Sequence, residues 1–240
     1  MALPFPDIDP VALSLGPIAI RWYSLAYIAG FFGGWGVARA LVKRSRMARP
    51  SLAQIDDFLF WVVLGVILGG RLGYVAFYNL DFYLQHPVDI FKTWEGGMSF
   101  HGGLIGVAVA VISYAVKNKI PILRLGDLAA CAATVGLFFG RMANFVNGEL
   151  YGRVTDAPWG IVFPNGGDLP RHPSQLYEAA TEGLLLFLLL NGLAWFKPHI
   201  QRQHGFLFGL FLCGYAVARF LIEFVRTPDP QIGLYFGWLS

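Results

Sequence analysis

The chain has 240 residues, of which 56% are hydrophobic and 14% charged, with a formal net charge of +3 and a mean hydropathy of +0.55. Ordinary globular chains carry about 25% charged residues, so this composition excludes a typical water-soluble domain and places the chain among integral membrane proteins. A net charge this small also argues against nucleic acid as a partner.

The first residues, Met1–Gly16, lack a basic n-region and contain Asp7 and Asp9, which is unlike a cleaved signal peptide. A spanning helix needs about 20 mostly apolar residues. Six such stretches follow in chain order: Pro17–Leu41, Phe58–Leu80, Phe100–Val116, Leu128–Val146, Leu176–Phe196 and Phe206–Val225. They predict an all-α polytopic membrane helix bundle forming one domain over residues 1–240. Glycine-rich stretches such as Gly30–Gly34 and Gly69-Gly70 suit close helix packing in lipid. Cys131 and Cys213 lie in apolar runs without metal or redox spacing, and buried packing is expected of both.

Basic residues set the orientation. The first, third and fifth connections carry Lys43, Arg44, Arg46 and Arg49, then Lys117, Lys119 and Arg124, then Lys197 and Arg202. The intervening connections are poorer, so the odd ones are expected in the cytoplasm, with the N-terminus and the segment from Arg226 to Ser240 outside. Of the outer connections, 81–99 reads as a loop. The longer one, 147–175, is rich in Gly and Pro, with alternating Trp159, Ile161 and Phe163. It is expected to form a small extracytoplasmic cap with a short hairpin.

Ionisable residues inside membrane spans are costly and mark function. At 1.5 Å per residue, Arg141 and Asn144 lie roughly 6–10 Å below the outer end of the fourth span, and Arg219 roughly 10 Å below that of the sixth. His101 stands at the outer start of the third span, and Tyr23 lies at similar depth in the first. Tyr215 and Glu223 flank Arg219 at four residues on either side, on its helical face. Structural readings compete: an Arg219–Glu223 ion pair, an Arg141–Asn144 clamp, interfacial tyrosines, and snorkelling for Arg39 and Arg71. Taken together, however, two deep arginines demand more counter-charge than Glu223 supplies. A phosphate fits, since guanidinium forks bind its oxygens bidentately.

The run Gly140-Arg141-Met142-Ala143-Asn144-Phe145-Val146-Asn147-Gly148-Glu149, with Gly152, resembles the signature of the bacterial prolipoprotein diacylglyceryl transferases. Arg21-Trp22-Tyr23, His101–Gly106, His172-Pro173-Ser174-Gln175-Leu176-Tyr177-Glu178 and the stretch from Gly214 through Arg219 to Asp229 agree with it. The resemblance runs from about Ile8 to Ser240. Members of this family have seven membrane helices, so a seventh is expected beyond Ser240. The resemblance implies transfer of the diacylglyceryl group of phosphatidylglycerol to the lipobox cysteine thiol of a preprolipoprotein. A thioether forms, glycerol 1-phosphate leaves, and no metal or soluble cofactor takes part. The setting it implies is the bacterial cytoplasmic (inner) membrane.

On that reading, Arg141 and Arg219 hold the phosphate and stabilise its developing charge, and His101 takes the thiol proton. Direct stabilisation of the thiolate by an arginine is the alternative to His101. Tyr23, Asn144, Glu149 and Tyr215 orient the headgroup or the arginines, Glu178 and Glu223 position a guanidinium, and Glu149 with Gly152 marks the exit into the cap. The cap receives the signal-peptide region. Three other readings compete: a transporter of an anionic solute using the intramembrane arginines, an intramembrane serine protease built on Ser99 or Ser174, and a non-catalytic structural subunit. Neither serine sits in a G-x-S-x-G setting.

Overall fold

In lipid every backbone N–H and C=O must be satisfied within the segment, which leaves the helix as the way for apolar runs like these to cross. The computed structural model describes residues 3–6, 8–16, 18–45 and 47–227. Among them are six helices long and apolar enough to cross a membrane: α1 (Trp22–Arg44), α2 (Leu52–Tyr78), α4 (Phe100–Lys117), α5 (Ile122–Val146), a composite fifth span (Ser174–Phe196) and α8 (Phe206–Glu223). A short helix, α3 (Leu80–Gln85), follows α2. The composite span joins α6 (Ser174–Glu178), a wider π-helical stretch (Ala179–Leu185) and α7 (Leu186–Phe196). Many large apolar side chains point outward, among them Phe32, Phe60, Phe77 and Phe196. Such a surface suits lipid.

The boundaries differ from the hydropathy reading where caps and pairing decide them. Residues before Trp22 do not extend α1. Val11–Leu15 (β2) and Ile18–Arg21 (β3) instead pair as an antiparallel ribbon, which makes Arg21 the last residue of a strand. The second span begins at Leu52, six residues ahead of Phe58, because Ser51 and Gln54 form a capping box. Ser51 Oγ accepts from the Gln54 N–H at 3.2 Å, and Gln54 Oε1 accepts from the Ser51 N–H at 2.9 Å. Two otherwise orphaned donors are thereby satisfied. Expectations for Pro17, Arg46 and Pro228–Ser240 fall outside the described residues.

Two units are distinguishable, residues 1–38 with 128–240, and residues 39–127. In the second unit α2 packs on α4 through glycine. A Cβ built on Gly69 would lie 2.4 Å from the Gly102 carbonyl oxygen, and one on Gly106 would lie 2.0 Å from that of Gly65. Backbones this close exclude any side chain, as small-residue interfaces in lipid do. Arg71 does not snorkel. It is 5% exposed and donates to five backbone carbonyls: Nε to Ile90 (2.7 Å), Nη1 to Gly96 (2.6 Å) and Gly97 (3.1 Å), and Nη2 to Asp89 (2.7 Å) and Lys92 (3.2 Å). The connection 86–97 is wrapped around that guanidinium. Arg39, by contrast, remains partly exposed and is ion-paired with Asp56.

In the first unit Gly30 and Gly34 approach α5 closely, at Gly136 and Ala132. Beyond the end of α5, the segment 147–175 forms no regular hairpin. Its one strand, β4 (Ile161–Val162), pairs in parallel with β1 (Leu3–Pro4), and single bridges join Val154 and Ile161 to Arg171. Pro164 and Pro170 lack the N–H that a continued ladder requires. The segment closes on a small core of Phe145, Ile161 and Phe163, with Phe5, Tyr151 and Leu176 packed against it. Cys131 is buried as expected, but Cys213 is exposed on α8, because the apolar run that carries it faces outward.

Candidate functional site

α5 carries Arg141 and Asn144 one turn apart, and the composite fifth span is brought against it at Gly183. A Cβ on Gly183 would stand 2.7 Å from Cα of Phe138. This approach delivers two carboxylates to Arg141. Its Nε lies 3.2 Å from Oε2 of Glu178, and Nη2 donates to Oε2 of Glu182 at 3.5 Å. Both glutamates are 0% exposed. Glu178 is shared, its Oε1 lying 3.8 Å from Nε of Arg226. On α8, Nη1 of Arg219 lies 2.8 Å from Oε2 of Glu223. Glu182 sits in the π-helical stretch, and such departures from α geometry recur at functional sites.

Arg141 and Arg219 therefore do not lack counter-charge, contrary to the expectation from the sequence. Three guanidinium groups (Arg141, Arg219, Arg226) face three buried carboxylates (Glu178, Glu182, Glu223), so the group is balanced without a ligand. What points to an anion is the donors left over. Among the described residues, Nη1 of Arg141 and Nε and Nη2 of Arg219 make no hydrogen bond. The two side chains remain 20% and 28% exposed. A guanidinium held from behind with its outer fork unspent is prepared for a phosphate or carboxylate.

The neighbours are ordered by hydrogen bonds. Asn144, 7% exposed, donates from Nδ2 to Oε1 of Glu149 at 2.9 Å, and Asn147 donates to the same oxygen at 3.4 Å. Tyr23 lies beside Asn144, and its ring centroid is 5.1 Å from that of Tyr27. Tyr215 lies within electrostatic reach of Glu182, Arg141 and Arg219, its ring stacked on Phe211. The His172–Glu178 motif is clamped onto residues 149–152. Ser174 Oγ donates to the Leu150 carbonyl at 2.9 Å and Gln175 Nε2 to that of Glu149 at 2.6 Å. Gly152 lies where three strands of chain meet, bridged to Arg226 and donating to the His172 carbonyl at 2.8 Å. A Cβ there would stand 2.4 Å from the Val225 carbonyl oxygen and 2.8 Å from Cβ of His172. His172 itself is held below the usual imidazole range by burial.

Of the residues singled out from the sequence, Tyr23, Arg141, Asn144, Glu149, Gly152, Glu178, Tyr215, Arg219 and Glu223 all belong to the first unit. His101 belongs to the second unit, exposed in the first turn of α4, whose N-terminus is capped by Ser99 accepting from the Gly102 N–H at 3.2 Å. Glu182 was missed. Its signal was present: an ionisable residue inside an apolar span, four residues after another. Arg226, which in the sequence is only part of a motif, is in the structure a partner of Glu178.

These arrangements lie on a chain whose residues 10–240 match the model of the prolipoprotein diacylglyceryl transferase family. The chain belongs to that family. Over 237 residues it is 57% identical to the phosphatidylglycerol–prolipoprotein diacylglyceryl transferase of Methylocella silvestris, covering 97% of this chain and 86% of the relative. The like-named protein of Rhodospirillum rubrum is 57% identical over 233 residues (97% and 85% covered), and that of Nitrobacter hamburgensis 54% over 246 (100% and 84%). The clamp on Arg141 thus sits within a transferase family whose named lipid carries a phosphate.

Proposed function

We propose that this chain transfers the diacylglyceryl group of phosphatidylglycerol to the lipobox cysteine thiol of preprolipoproteins in the bacterial inner membrane, with its N-terminus and the 147–175 cap outside the cytoplasm. The observation that carries the site assignment is Arg141, backed by two buried carboxylates and keeping unspent donors beside the half-exposed Arg219 fork.

The step is a displacement at a glycerol carbon. The thiolate sulfur forms a C–S bond, the C–O bond to phosphate breaks, and its electron pair leaves on the phosphate oxygen. Charge grows on the leaving group, where Arg141 and Arg219 stabilise it. Removing one such preorganised donor typically costs about 10²–10³ in rate. The thiol proton is assigned to His101, which the sequence motif nominates. Arginine charge near the thiol favours its thiolate form and eases that transfer. Tyr23, Asn144, Glu149 and Tyr215 orient the headgroup, while Glu178 and Glu223 hold the guanidinium planes.

Membranes containing Arg141→Ala or Arg219→Ala protein, compared at equal protein level for labelled diacylglyceryl transfer to a lipobox peptide, are expected to lose about 100-fold or more in activity. Near-normal turnover in either variant would sink the phosphate-grip assignment. Substantial activity with an unchanged pH profile in His101→Ala would remove His101 as the base.

A further inference from the structure

A buried carboxylate oxygen without a donor is strongly unfavourable and calls for an explanation. Glu178 and Glu182 are both fully buried, yet they differ in what their oxygens face. Neither oxygen of Glu178 accepts a hydrogen bond from a described residue, but each has a guanidinium nitrogen within salt-bridge range, Arg141 on one side and Arg226 on the other. Glu182 gives Oε2 to Arg141, while its Oε1 accepts no hydrogen bond from any described residue. An ionised carboxylate oxygen only accepts, so the missing partner of Oε1 is a donor. The electrostatic neighbours of Glu182 are Arg141, Arg219, Glu178 and Tyr215, and none of them donates to Oε1. A cationic donor placed there would face two guanidinium groups, and like charges brought together are a common basis of rejection. A neutral hydroxyl meets no such penalty. The unspent arginine donors a short distance away call for an anion. A single ligand that meets both demands carries a phosphate with a hydroxyl a few bonds from it.

We propose that Glu182 is a specificity residue whose Oε1 accepts a hydrogen bond from a hydroxyl of a phosphoglycerol lipid headgroup, while Arg141 takes the phosphate of the same headgroup. This rests on the reading of the Arg141–Arg219 cluster as the lipid-headgroup site. Glu182 then has two roles in one side chain: one oxygen steadies Arg141 and the other reads the alcohol. A site built to hydrogen-bond a hydroxyl discriminates far more strongly against an analogue lacking it than an apolar pocket does.

The test uses the purified full chain in detergent micelles, a lipobox peptide and two donor lipids with identical acyl chains. One is phosphatidylglycerol. The other is phosphatidylpropanol, which has the same phosphate charge and no headgroup hydroxyl. Wild-type protein is expected to favour phosphatidylglycerol by at least about 100-fold in kcat/KM. In Glu182→Gln, which keeps side-chain volume, that ratio is expected to fall at least fivefold through loss of phosphatidylglycerol turnover, and in Glu182→Met further. If Glu182→Met does not fold, the Glu182→Gln ratio decides. Equal loss with both lipids, leaving the ratio unchanged, would mean that Glu182 acts only by holding Arg141, and the proposal falls. Wild-type use of the two lipids within threefold overturns the proposal alone. Absence of any wild-type transfer from phosphatidylglycerol overturns the headgroup reading with it.

Discussion

Replacing Glu178 by Gln exchanges one oxygen for an amide nitrogen and removes a charge held between two guanidinium groups. The carboxylate is 0% exposed, 3.2 Å from Arg141 Nε and 3.8 Å from Arg226 Nε. At an effective dielectric of about 20 these attractions amount to about 5 and about 4 kcal/mol. Much of that is offset by the cost of burying the ions, and breaking such a pair from one side leaves a net loss of about 3–5 kcal/mol. For a chain of this length each kcal/mol lowers the melting temperature by about 2–4 °C, so Glu178→Gln is expected to melt about 6–20 °C below wild type. Glu182→Gln, which breaks one contact at 3.5 Å instead of two, is expected to fall less. Thermal unfolding of the detergent-solubilised full chain, followed by circular dichroism, measures both. A drop of less than about 2 °C for Glu178→Gln would refute the view that this glutamate is the shared brace of the two arginines.

Arg71→Ala strips the partner from five backbone carbonyls and is expected to free the 86–97 connection, read as new cleavage there in limited proteolysis. Arg71→Lys should protect only in part, because an ammonium has three donors and no fork. Gly152→Ala must displace the Val225 and His172 backbones, so more than a tenfold loss of transfer and a lower melting temperature are expected. Wild-type activity in that variant would show that the crossing point yields. Burial holds His172 below 6.5 in the folded state, so the unfolded chain takes up this proton first as pH falls. Its contribution to stability is complete above about pH 6.5 and is lost progressively on acidification below it. His172→Gln should flatten the melting temperature between pH 7 and pH 5 relative to wild type; an unchanged slope would exclude His172 as a source.

Much of the candidate site was legible in the chain itself because lipid makes polarity conspicuous. Arg141, Asn144, Arg219 and Glu223 stand out in apolar runs, and their helical spacing places each pair on one face. Six spans follow from hydropathy for the same reason, since a stretch that exchanges water for lipid must be apolar over its length. The ends of those spans were less legible. Ser51 and Gln54 extend α2 through a local cap, and the ribbon 11–21 replaces the expected start of α1, both through hydrogen bonds that hydropathy does not register.

What the sequence determined by itself is the membrane class, the number of apolar spans and the residues expensive enough to demand a purpose. Each follows from one-dimensional quantities: composition, run length and spacing. Only the tertiary structure decided the partners. Arg71 looked like a helix-end arginine and proved to be the centre of a loop, because its partners are carbonyls 18 to 26 residues away. Arg141 seemed to lack counter-charge until the fifth span laid Glu178 and Glu182 against it from 37 and 41 positions along the chain. Ion pairing decays with distance in space and is indifferent to distance in sequence, so the pairing that balances this site could be read only once the helices had been packed.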